Sequence, residues 1–189
     1  YTVRYTIGDK QVSMHYFLQA FNKRNPIYAD ILNYVSLGVL LNIPDNNFRQ
    51  LIDYVKQMDK QAKPSGWTPD LLLWFMLNSR MKEQEKQKYA ETLAYPRLYN
   101  GLYKVIQAPN AAAAKDALSK YLDRWYNLNS NAPWYNSHLK DNSYRGYWAW
   151  EVAAVAKIMH IDDSDLKNNQ YYPYDMVHWE YNETTAKCR

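Results

Sequence analysis

The chain has 189 residues, of which 47% are hydrophobic, and 23 Lys and Arg against 19 Asp and Glu give a formal charge of +4. That is apolar material for one substantial core, in a compact domain or two closely packed helical halves. The longest apolar stretch, Leu71 to Leu77, is far too short to span a bilayer, no basic-then-apolar secretory segment opens the chain, and the single cysteine, Cys188, allows neither an internal disulfide nor a cysteine-based metal site.

Apolar residues recur at helical spacing in nearly every segment, and no alternation is sustained at strand length, so the expected fold is all-α. Met14, Phe17, Leu18 and Phe21 mark a first helical face, which Asn25-Pro26 ends, and Ile27, Ile31, Tyr34, Val35 and Leu41 mark a second. Asp45 is the expected N-cap of a helix whose face is Phe48, Leu51, Ile52, Val55 and Met58. Beyond a loop at Lys63-Pro64-Ser65-Gly66, Thr68-Pro69-Asp70 supplies a cap, an N1 proline and a first-turn acid ahead of the apolar helix Leu71 to Leu77. Lys82 to Lys88 reads as a solvated charged face, and Tyr95-Pro96 interrupts before a helix carrying Leu98, Leu102, Val105 and Ile106. Asn110 caps Ala111 to Tyr126, whose buried stripe is Leu118, Tyr121, Leu122 and Trp125. Roughly eight helices in two packed parts are expected, an N-terminal part over 1–126 and a C-terminal segment over 127–189 packed on it.

Charge divides along the chain. Residues 1–140 hold 18 Lys and Arg against 11 Asp and Glu, a net of +7, whereas residues 141–183 hold 3 against 8, a net of −5. A field of one sign attracts partners of the other. The lone cysteine favours a reducing compartment. Because the chain opens on Tyr1, a processed or truncated start is expected.

The segment from Trp134 to Trp179 carries the most particular order of residues. Trp148, Val152, Val155 and Met159 fall at helical spacing, with Ala149, Ala153 and Ala156 leaving room for a neighbouring helix, so this should be a central helix. Glu151 lies on it among aromatic residues and needs a partner, since an unsatisfied buried polar group costs roughly 1–3 kcal/mol. His138, Arg145, His178 and a tyrosine hydroxyl are the sequence candidates. Asp162-Asp163-Ser164 should cap a short following turn, and Tyr172-Pro173 should fix an extended connection.

Trp134-Tyr135 with His138, then Tyr147-Trp148-Ala149 with Glu151, Ala153-Ala154, Ile161-Asp162-Asp163-Ser164, and Tyr171-Tyr172-Pro173 with Asp175 and His178 resemble the C-terminal signature of PoNi-type immunity proteins, which protect bacteria from PoNe-type DNase toxins. Tyr121-Leu122 with Trp125-Tyr126, and Tyr34-Val35-Ser36-Leu37 with Leu40-Leu41, are similar to the family's more N-terminal helices. The resemblance implies an all-helical, non-catalytic cytoplasmic protein that binds a cognate nuclease toxin, with no catalytic residue, no metal, no cofactor, no direct nucleic-acid contact and no membrane partner. It also implies further helix ahead of Tyr1. His138, Tyr147, Trp148, Glu151, Tyr172, Pro173, Asp175 and His178 would then be signature scaffold, and the acidic Asp162, Asp163 and Asp165 would face a basic toxin.

Two other chemistries draw on the same residues. Glu151, Asp162, Asp163, Asp175, His138 and His178 could converge as a metal or hydrolase site, although the sequence has no HExxH, glycine-rich phosphate loop or nucleophile elbow. Basic residues with interleaved tyrosines in 1–140 suggest nucleic-acid binding, but they scatter over several helices and form no known module.

Overall fold

The computed structural model describes residues 28–61, 67–139 and 146–180, and the backbone alone of 4–7 and 10–13. The expected helix around Met14 to Phe21 lies outside the described residues. β1 (Arg4–Ile7) and β2 (Lys10–Ser13) pair antiparallel, with Arg4 opposite Ser13 and Ile7 opposite Lys10. That register leaves Gly8-Asp9 between the strands, a dipeptide that favours two-residue hairpins and that a search for sustained alternation passes over. The hairpin apart, the described regular structure is helical, and the fold class is all-α.

α1 (Tyr28–Leu40) is apolar nearly all round, and such a helix is stable only inside a protein. From Val35 to Leu40 every residue is buried, and Ser36 satisfies its hydroxyl on Leu32 O one turn back. α2 (Asp45–Lys60) is two-faced and buries Phe48, Leu51, Ile52 and Val55. Its N-cap is Pro44, not Asp45, and Asp45 instead takes a salt bridge from Arg80, whose guanidinium also lies over the Phe48 ring.

α3 (Leu71–Asn78) starts two residues later than its Thr-Pro-Asp signal suggests. Asp70 is the cap itself, its Oδ1 accepting from Leu73 N at 2.8 Å. α4 (Pro96–Ile106) begins on its proline, and α5 (Ala111–Leu128) on the Asn110 side chain, which accepts from Ala113 N. The two fold back on each other where Gly101 meets Tyr121, whose hydroxyl donates to Leu98 O. α5 runs on to Leu128, so a boundary at 126/127 falls inside it.

α6 (Trp150–Met159) packs chiefly on α1, and α7 (Tyr174–Val177) is a single turn against α6. These make seven α-helices among the described residues, with short 3-10 turns at Glu83–Glu85, Ser137–Leu139 and Ser164–Leu166. Buried residues from Tyr28 to Tyr172 form one contiguous core.

Candidate functional site

Alanines at 149, 153, 154 and 156 let α6 approach its neighbours closely, so residues 152–156 are all buried and Glu151, in its first turn, goes in with them. Glu151 Oε1 accepts a 2.6 Å hydrogen bond from Trp125 Nε1 of α5. The partner is therefore an indole from another helix. His138 and His178 bond elsewhere, and Arg145 lies outside the described residues. Burial lifts the Glu151 carboxyl to about 7, because bonds from Trp125 and its own amide only partly offset the lost hydration.

Asp163 is the centre of a second knot. It is 3% exposed, Tyr172 donates its hydroxyl to Oδ2 at 2.8 Å, and His178 donates from Nε2 to Oδ1 at 3.0 Å. Burial first, and the adjoining carboxylate second, hold the Tyr172 phenol far above its ordinary range. Pro173 is buried beside it, and the half-exposed His178 ring packs on Tyr174 at 4.3 Å.

The third knot surrounds Tyr147. Its hydroxyl accepts from His138 N and Ser137 Oγ and lies 2.6 Å from His138 Nδ1. Trp134 stacks on Trp125 at 5.4 Å and touches Tyr147 at 5.5 Å, while Tyr126 stacks on Tyr171 with planes 3° apart. These rings join α5 to the segments on both sides of α6.

Three expectations need correction. Trp148 is not on the central helix: α6 begins at Trp150, Ala149 keeps a non-helical backbone and donates its N–H to Tyr171 O, and Trp148 is 43% exposed over Gly146. Asp175, expected among the signature scaffold residues, is an exposed first-turn acid of α7. Asp163, expected on an acidic outer surface with Asp162 and Asp165, turns inward as described.

Asp162 and Asp165 do face solvent, and Lys115 of α5 bridges both at 2.8 Å. The lysine's hydrogen bond and that of Ser164 hold the Asp162 carboxyl well below its usual range. The −5 of the segment is thus diluted: Glu151 and Asp163 are internal, and a cation from the basic part sits on the outer pair. Glu151, Asp162, Asp175 and His178 do not gather, since the first faces Trp125, the second Lys115, the third solvent and the fourth Asp163. Among the described residues no three His, Cys, Asp or Glu side chains stand where they could hold one metal ion.

Sequence reading missed three polar centres. Asp70, fully buried, also accepts from Tyr28 OH and Ala94 N, and burial raises its carboxyl despite those bonds. An Asp directly before an apolar run was the available signal; Tyr28, 42 positions away, gave none. Asp59 accepts from Trp67 Nε1, Trp74 Nε1 and Tyr89 OH. Lys157 donates to Leu40 O at the end of α1 and to Trp179 O after α7.

The family model described as PoNe immunity proteins (PoNi), C-terminal, matches residues 68–176, from just ahead of the Asp70 cap into α7. The chain belongs to this family. No curated protein and no solved structure matches it. The PoNi span takes in α3 to α6 and the three knots' carboxylates and tyrosines, whereas α1, the main surface on which α6 is buried, lies outside it. No described helix is long and apolar enough to cross a membrane.

Proposed function

We propose that this PoNi protein is a non-catalytic immunity protein that binds a cognate PoNe-type nuclease toxin in the cytoplasm and blocks it. The observation that carries this reading is the family match over residues 68–176. Physical chemistry supports it. A nuclease that grips phosphates presents a basic surface, and an acidic surface on the inhibitor speeds encounter with it. Asp162 and Asp165, with Asp175 and Glu180 exposed in the turns that follow, supply that surface here. Asp163 acts behind it, holding the loop through Tyr172 and His178.

The test is inhibition at defined stoichiometry. DNA cleavage by the purified cognate toxin should fall in proportion to added protein and stop at equivalence, and cells expressing the toxin should grow when this chain is co-expressed. Undiminished cleavage at excess protein would overturn the reading.

A further inference from the structure

A cavity of about 460 Å3 opens between the last turns of α2 and the irregular segments before and after α3, lined by Lys56, Asp59, Lys60, Pro69, Gln87 and Tyr89. Its volume is within the range of small-ligand sites. The Asp59 carboxylate is already engaged on both oxygens, by two indoles and the Tyr89 phenol at 2.6–2.8 Å. Lys56 and Lys60, one helical turn apart, form no ion pair with any described residue. The cavity's open charged groups are therefore the two ammonium donors, beside the Gln87 side-chain amide, while its one carboxylate is occupied. Two ammonium charges against one carboxylate leave one net positive charge, and the C-terminal end of α2 lowers this by about half a charge. A monoanion then leaves about half a charge over and a dianion about one and a half, so the balance favours the monoanion. Tyr89, packed edge-on to Trp74 at 5.5 Å, and Pro69 give the ligand an apolar wall.

We propose that this cavity binds an organic carboxylate, a monoanion held by Lys56 and Lys60 with its apolar body against Tyr89 and Pro69. The site is separate from the acidic loop and does not depend on the toxin-binding reading.

Benzoate is the probe, followed through the indole N–H resonances of the protein's seven tryptophans and compared with sodium chloride at equal ionic strength. Saturable shifts are expected at Trp67 and Trp74, whose N–H groups end on Asp59. Affinity should fall about tenfold in the Lys56→Gln/Lys60→Gln variant, fall less in Lys60→Gln alone, and stay unchanged in Lys104→Gln on α4. Inorganic phosphate should bind more weakly than benzoate. Shifts that match chloride, that persist in the double variant, or that are stronger with phosphate would overturn the assignment. With the cognate toxin present, benzoate that slows association places the natural carboxylate on the toxin, and benzoate without effect marks it as a free small molecule.

Discussion

Glu151 and Asp70 are carboxylates kept in the core by hydrogen bonds and not by cations, and that choice couples stability to pH. The Glu151 carboxyl rises from 4.5 to about 7 on folding. A raised folded value means that the native state holds more protons between those limits, so stability is full below about 4.5 and is lost as pH rises through about 7. Asp70 shifts in the same direction. Glu151→Gln keeps an acceptor for Trp125 and cannot titrate. Its urea unfolding free energies at pH 5 and pH 8 should differ by on the order of 2 kcal/mol less than those of the parent. Equal differences in both proteins would remove Glu151 as the source. The tryptophans separate by the same criterion of burial. Trp125 is 4% exposed and bonds Glu151, so Trp125→Ala should cost about 3–5 kcal/mol, whereas Trp148→Ala, at a half-exposed site, should stay within about 1 kcal/mol in the same titration.

At the scale of elements, close approach decides where the helices sit. A Cβ on Gly101 would lie 2.6 Å from Tyr121 Cδ2, so α4 and α5 meet at this distance only because the side chain is missing. Gly101→Ala should gain helix propensity of about 1 kcal/mol and lose about 1–3 kcal/mol to overpacking, lowering the thermal midpoint by a few degrees. A raised midpoint would show that Tyr121 moves aside freely. Lys157 joins three element ends, and burial lowers its ammonium from the ordinary lysine value. Lys157→Met keeps the aliphatic stem and removes the donors. Amide exchange should then quicken in α7 and at the end of α1 while α4 and α5 stay protected.

On the whole molecule, Lys115 is an ionic link between the basic and acidic parts, bridging α5 to the loop that follows α6. If that loop meets a basic toxin, Asp162→Asn/Asp165→Asn should slow association several-fold and Lys115→Gln should quicken it, with both effects shrinking as salt is raised. Kinetic titration against the cognate nuclease at two salt concentrations reads both. Rates indifferent to the substitutions and to salt would move the interface elsewhere.

The helices were legible from the chain alone because their signals are local. Apolar spacing marked α2 and α5, Asn110 marked where α5 starts, and the order of aromatic and acidic residues from Trp134 onward carried the family. Tertiary structure decided what lies between elements. Trp125 and Glu151 stand 26 positions apart, and Tyr28 and Asp70 stand 42 apart, so no spacing rule pairs them. Neighbouring letters also parted company. Asp162 and Asp163 are adjacent, yet one faces Lys115 and solvent while the other is enclosed by Tyr172 and His178. A sequence states that a residue can carry charge; only the packing of α6, its loop and α7 fixes whether that charge meets water, a lysine or the core.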